Sequence, residues 1–364
     1  MSSQTDQRTY VRPTALLTPS AHTPRHDAIR IAGRTDLVAT TAELIRRPVG
    51  APRNQARYLT ASELRADAAG DRTAAALLAR HEAPRPPLAG LTLDEAVRRP
   101  RLMGIVNVTP DSFSDGGAFS SAQTAIDHAL QLEAEGADIL DIGGESTRPG
   151  AHPVSIEEEL ARVIPVIEGL AGKTKALISI DTRKAEVMRR ALAAGAHIIN
   201  DVAALTYEPA CLEIAAASNA PVILMHAQGD PRTMQAAPEY DDCLLDVCDW
   251  LEARLTACEA AGIARDRLVI DPGIGFGKTL VHNLELLAGL TLLHGLGVPV
   301  LLGASRKSFI GMLTGEKDAR QRVPGSIAAA LAGASQGAQI LRVHDVAETR
   351  QALTVWEAMR RGAT

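Results

Sequence analysis

Polar side chains stop a series of short apolar runs in the later part of the chain. They are Asn107, the segment Glu145-Ser146-Thr147-Arg148, Asp181, Asn200 with Asp201, His226, Asp271, Ser305-Arg306-Lys307, and Arg342 with His344. Any one of them is explained by solvent beginning where a run ends. The whole set is not, because an Asp or Asn directly after a buried run must find a partner or bear a desolvation cost. Two chemical characters stand out. Arg306, Lys307, Arg342 and His344 offer positive charge and donors suited to a phosphate-type group. Asp181, Asn200 and Asp271 offer carboxylates and an amide, which suit a flat heterocycle with several N–H groups on one edge. A polar ring carrying an anionic tail satisfies both halves. The competing structural reading is that Asp181 and Asp271 pair with the same Arg and Lys residues.

The elements that must position these residues are legible from periodicity. Apolar runs at 102–106, 138–142, 177–180, 197–199, 221–225, 268–270, 299–302 and 339–343 predict eight strands, each followed by a stretch with helical spacing. A block of about 260 residues with eight βα units predicts a TIM (βα)8 barrel, whose reacting groups lie at the C-terminal strand ends and whose phosphate corner lies after strands seven and eight. The runner-up, an open doubly wound sheet, lacks a GxGxxG turn after the first strand. Gly116-Gly117, Gly143-Gly144 and Gly150 flank two loops that read as covers. The glycine-rich segment from Asp271 to Lys278 lacks the spacing of a Walker phosphate loop.

Composition narrows the partners. Among 364 residues, 46% are hydrophobic, only 3% are aromatic, and the net charge is −5, which argues against a nucleic-acid binder and for small-molecule substrates. Cys211, Cys243, Cys248 and Cys258 form no CxxC pair and read as ordinary reduced thiols. No run approaches the roughly 20 apolar residues of a membrane span, and the N-terminus shows no charged start with an apolar core. A soluble cytoplasmic protein is expected. The first 98 residues differ from the rest, with recurrent prolines and short apolar runs. They predict a partly helical N-terminal extension of unknown role, with a short strand at 28–34 and helices at 36–46 and 61–80. Pro84, Pro86 and Pro87 then break the chain, and Thr92 with Glu95 fits a capping box opening a short helix before Pro100. Residues 99–364 form the expected barrel domain.

Met103-Gly-Ile-Val-Asn-Val-Thr-Pro-Asp-Ser-Phe-Ser-Asp-Gly-Gly117 and Gly136-Ala-Asp-Ile-Leu-Asp-Ile-Gly-Gly-Glu-Ser-Thr-Arg-Pro-Gly150 resemble the first two signatures of the dihydropteroate synthase family. Ile180-Asp-Thr182, Ile199-Asn-Asp201, Leu224-Met-His226, Asp271-Pro-Gly-Ile-Gly-Phe-Gly277, Ser305-Arg-Lys-Ser308 and Arg342-Val-His-Asp345 match the remaining blocks in order. The resemblance spans the expected barrel and leaves the extension outside. It implies a transferase of folate biosynthesis, a target of sulfonamides, that condenses 6-hydroxymethyl-7,8-dihydropterin pyrophosphate with p-aminobenzoate. By the same resemblance Asp181, Asn200, Asp271 and Lys307 hold the pterin, with Arg342 packed against it. Asn107, Arg148, Arg342 and His344 handle the pyrophosphate, Asn107 through a bound Mg²⁺. Phe113, Thr147, Pro149 and Ser305 border the p-aminobenzoate pocket, and Asp115 and Arg148 sit on covering loops. Asp181, Asp271, Lys307 and Arg148 are the residues expected to carry catalysis, and a homodimer is the family expectation. The alternatives are a pterin-binding methyltransferase on the same barrel and a catalytically silent pterin-binding paralogue.

Overall fold

The structure is a computed structural model, and it describes residues 7–19, 27–48, 51–53, 55–93, 99–108, 118–146, 153–229, 234 and 237–361. The expected Glu95 cap lies outside the described residues.

Residues 101–361 alternate strand and helix: β5 Arg101–Asn107, α3 Ala118–Glu135, β6 Ile139–Gly143, α4 Ile156–Leu170, β7 Leu177–Asp181, α5 Ala185–Ala194, β8 Ile198–Asp201 and α6 Pro209–Ala217. There follow β9 Val222–Met225, α7 Cys243–Ala260, β10 Leu268–Asp271, α8 Leu280–Ala288, β11 Leu301–Leu302, α9 Ser308–Thr314, α10 Val323–Ser335, β12 Ile340–Val343 and α11 Val346–Arg361. The eight strands are parallel in the order β10-β9-β8-β7-β6-β5-β12-β11. A bridge between Ile270 and Val300, with the Ile270 N–H donating to Pro299 O at 3.0 Å, joins the two ends. The fold is the expected TIM barrel. The seventh strand is shorter than its apolar run: Pro299 has no N–H, and the Val300 N–H donates to Gln339 Oε1 at 2.7 Å instead of to the ladder.

Strand alternation sorts each run into an outer and an inner face. Leu102, Leu140, Ile178, Ile199, Leu224 and Ile270 pack outward among the helices. Met103, Ile139, Ile198, Ile223, Val269 and Ile340 form a separate inner cluster, which Leu88 and Leu93 of the preceding segment join. The lower barrel is therefore a packed apolar plug. Inner residues two and four places further along each strand fall above it, toward the C-terminal mouth.

The N-terminal unit departs from its expected form. It contains β1 Gln7–Leu17, β2 Ile29–Arg30, β3 Val38–Pro48 and β4 Gln55–Thr60, followed by α1 Ala61–Gly70 and α2 Arg72–Glu82. β3 pairs antiparallel with β1 on one side and with β2 and β4 on the other. The segment 36–46, expected as a helix, is thus the central strand of a sheet. Its apolar spacing fits both periods, and pairing along both edges, with Val38, Thr40, Thr41 and Ile45 favouring a pleated backbone, decides the outcome. Only Ile29 and Arg30 of the expected strand 28–34 pair, because Ala32 and Gly33 turn the chain at φ values of 54° and 74°. The expected helix 61–80 is split at Asp71, which closes α1 and caps α2 by accepting from Thr73 N and Ala74 N.

Candidate active site

Arg342 reaches from β12 across the mouth. Its Nε donates to Asp141 Oδ2 at 2.6 Å and its Nη2 to Asp181 Oδ2 at 2.7 Å. Asn200 Nδ2 donates to the same Asp141 oxygen at 3.0 Å. The other Asp141 oxygen is buried without a hydrogen-bond partner. Two strands away, Asp271 Oδ1 accepts from Gly273 N at 2.7 Å. Gly303 leaves room where Asp271 and Arg342 converge: a Cβ there would stand 3.5 Å from Asp271 Oδ2 and 3.9 Å from Arg342 Cβ. Lys307 Nζ lies 4.0 Å from the centre of the Phe276 ring. Gly275, at φ +85°, brings the loop after β10 against the Lys307 stem, where a Cβ would lie 3.3 Å from Lys307 Cδ. Asn107 ends β5 opposite Gly143. Ser305 Oγ accepts from the His344 N–H at 3.2 Å and lies 3.1 Å from His344 Nδ1.

The electrostatics follow from this crowding. Burial raises the Asp181 pKa, with Arg342 opposing and Asp141 assisting the shift. Burial also raises Asp271, opposed by the Gly273 N–H and by Lys307 and Arg342. Lys307 is pushed down to about 8 by burial and by the Arg342 charge. Burial thus pushes both carboxyls and the Lys307 ammonium toward their neutral forms, as expected of polar groups shielded from water.

Several rim residues have other work. Arg306, expected to add positive charge, pairs with Asp345 and takes φ +57°, so its guanidinium is committed beside the site. Asp201 accepts from Ala203 N and Leu205 N, both at 2.7 Å, and closes a turn. Glu145 pairs with Arg183 and Lys184 at 2.8 Å each. His226 is drawn to Lys278, whose buried Nζ lies 2.9 Å from His226 Nδ1 and donates to Phe276 O at 2.9 Å. Burial lowers the Lys278 pKa to about 7. The glycine-rich loop is therefore held by its own lysine. The expected ion-pair alternative is realised for Asp181, through Arg342. Phe113, Asp115, Thr147, Arg148 and Pro149 lie outside the described residues.

Asp141 is the member that inspection of strand ends misses, because it sits inside its apolar run. The signal was available: it alternates with Ile139 and Gly143, and so faces the barrel interior.

The chain matches the family model for pterin binding enzymes over residues 103–344. It is 52% identical over 269 residues to the dihydropteroate synthase of Escherichia coli strain K12, covering 74% of this chain and 94% of that protein. This chain belongs to the dihydropteroate synthase family. The dihydropteroate synthase of Xanthomonas albilineans, solved with 4-aminobenzoic acid, is 55% identical, with a TM-score of 0.71 over 77% of this chain and 99% of that one. The same organism's enzyme in complex with 7,8-dihydropteroate is 53% identical, with a TM-score of 0.69 over 77% of this chain and 100% of that one. These dihydropteroate synthases are matched over nearly their whole length by about three quarters of this chain, and the family model starts only at residue 103.

Proposed function

We propose that this enzyme displaces pyrophosphate from the methylene carbon of 6-hydroxymethyl-7,8-dihydropterin pyrophosphate with the amino nitrogen of p-aminobenzoate. A C–N bond forms, the C–O bond breaks, and the arylamine nitrogen gives up a proton, yielding 7,8-dihydropteroate and pyrophosphate. The observation that carries this reading is the convergence of Asp181, Asp271, Lys307 and Arg342 on one mouth, above an apolar plug.

In this reading Asp181, Asn200 and Asp271 hold the N–H edge of the pterin, and Lys307 donates to its ring acceptors. Arg342, oriented by Asp141 and Asp181, packs against the ring and faces the leaving group. Arg148, Arg342 and His344 stabilise the departing pyrophosphate, whose charge is the larger obstacle, since a neutral arylamine needs no strong base. Asp181 and Asp271 favour positive charge developing on the pterin as the C–O bond breaks. Phe113, Thr147, Pro149 and Ser305 border p-aminobenzoate, while Asp115 and Arg148 cover the site against water.

Among the described residues no group of three or more His, Cys, Asp or Glu is placed to hold a metal. A Mg²⁺ beside Asn107 would accordingly be held by one amide oxygen together with diphosphate oxygens and water, which suits an ion that keeps much of its hydration. When bound it would neutralise charge on the leaving group. Asn107→Ala activity that rises with added Mg²⁺ supports this role, and an unchanged metal dependence removes it.

Residues 99–364 are read as the catalytic domain and 1–98 as an appended unit. The exposed Val281, Leu284, Met312 and Leu313 of α8 and α9 offer an apolar face for a second copy, in keeping with a homodimer. No helix among the described residues is long and apolar enough to cross a membrane, and a cytoplasmic location fits the reading. The deciding assay supplies dihydropterin pyrophosphate, labelled p-aminobenzoate and Mg²⁺, and quantifies both products. Equal yields of dihydropteroate and pyrophosphate support the assignment. Pyrophosphate released without coupling to p-aminobenzoate overturns it.

A further inference from the structure

The seam between the N-terminal unit and the barrel runs along one face of α7. Asp242, Asp246, Asp249 and Glu252 recur at helical spacing, so their carboxylates share that face. Each meets an arginine of the N-terminal unit: Arg53 with Asp242 at 2.6 Å, Arg47 with Asp246 and Asp249 at 2.7 Å each, Arg8 with Asp249 at 2.6 Å, and Arg80 with Glu252 at 3.1 Å. Arg47 is the centre of the seam. Its Nε also donates to the Tyr10 hydroxyl at 3.0 Å, and the side chain is only 1% exposed.

Two of these carboxylates hold backbone as well. Asp246 Oδ2 accepts from the N–H groups of Asp241 at 2.9 Å and Asp242 at 3.1 Å, and Asp242 caps α7 by accepting from Leu245 N at 3.2 Å. The residue just before, Tyr240, donates its hydroxyl to Gly277 O at 2.8 Å. Gly277 lies between Phe276, whose ring carries Lys307, and Lys278, whose ammonium staples this loop to His226. Hydrogen bonds and the short backbone link from Asp241 to Tyr240 therefore connect Arg47 to the loop that begins at Asp271.

We propose that the N-terminal unit is a built-in positioning element for the pterin half of the active site, acting through Arg47 and Arg53 on the start of α7 and through Tyr240 on the Asp271–Lys278 loop. Arg47 and Arg53 are positioning residues, because they bond to α7 and its N-cap rather than to a rim side chain. The proposal rests on the reading that Asp271 and Lys307 hold the pterin.

The test is steady-state kinetics on the full chain. Arg47→Met is expected to raise KM for dihydropterin pyrophosphate about 10-fold while KM for p-aminobenzoate stays within about 2-fold. Arg47→Lys is expected to restore part of the loss. Tyr240→Phe, which leaves the seam intact, is expected to reproduce the same selective rise and serves alone if Arg47→Met does not fold. The double variant is expected to be no worse than the poorer single one, as for two links in one connection. Arg80→Met, at the far end of the seam, is expected to leave both KM values within about 2-fold. A Tyr240→Phe enzyme with unchanged KM for the pterin substrate overturns the proposal, as does an Arg47→Met enzyme with a lower melting temperature and unchanged kinetics. Asp271→Asn separates the two layers of the argument. If it leaves pterin KM unchanged, the pterin reading itself fails; if it raises that KM and the Arg47 and Tyr240 variants do not, only the positioning role fails.

Discussion

Two arginines, one at the barrel mouth and one at the seam with the N-terminal unit, bridge pairs of aspartates with nearly the same distances. Arg342 joins Asp141 and Asp181 at 2.6 and 2.7 Å, and Arg47 joins Asp246 and Asp249 at 2.7 Å each. The surroundings differ. Arg47 also donates to the Tyr10 hydroxyl and Ala51 O, and its side chain is 1% exposed, so four of its five N–H groups are engaged by the protein. The Arg342 side chain is 20% exposed, and Asp141 keeps a buried oxygen with no partner. A closed network of this kind fixes two bodies together; one with unfilled valences and an opening is ready for a ligand. Ion-pair geometry by itself does not separate a clamp from a site. The leftover hydrogen-bonding capacity does.

This contrast is broken most directly by Arg342→Met, expected to lower kcat/KM by about 10³-fold in the coupled product assay; retention within tenfold would make Arg342 a second structural clamp. Arg47→Met is expected to act on stability first, since removing one partner of a buried pair costs about 3–5 kcal/mol. Chemical denaturation followed by circular dichroism measures it, and a change below about 1 kcal/mol would mean that the seam is solvated in solution. Lys278→Met, which unpins the glycine-rich loop while leaving every rim carboxylate in place, is expected to lower kcat/KM by about 10–100-fold. Wild-type activity in that variant would show that the loop holds itself.

Acid should lower the stability of the fold through two buried histidines. His81 and His294 are fully buried, and burial next to Arg85 pushes His81 down to about 3 and His294 well below its usual value. Both stay neutral in the folded chain and gain a proton on unfolding below about pH 6.5, so stability is full above that pH and is lost as pH falls from about 6.5 toward 3. The slope reaches about 1.4 kcal/mol per pH unit for each imidazole. The melting temperature measured from pH 7.5 to 5 should decline, and less steeply in His81→Gln. The smallest effect is expected from thiol alkylation of the native enzyme. All four cysteines are buried, and burial pushes the Cys211 and Cys243 thiols up to about 12, so activity should change by less than about 2-fold.

The sequence by itself determined the barrel. A parallel strand is written locally, as a short apolar run stopped by a polar residue and followed by a helix, and each run from 102–106 to 339–343 overlaps the strand found there. Most of the mouth was legible for the same reason, because the residue that stops the run is the one delivered to the C-terminal end. Three matters were decided only in three dimensions. The segment 36–46 carries a spacing that either period satisfies, and pairing with β1 and β4 made it a strand. Asp141, hidden inside a run, became a polar centre because Arg342 arrives from a strand 201 residues away in sequence. The arginines at 8, 47, 53 and 80 carry no local sign of a partner, and the matching row of carboxylates comes from α7. Local pattern fixes which face a side chain takes; which partner meets it across the chain depends on how separate elements close around one another, and no short window of sequence contains that.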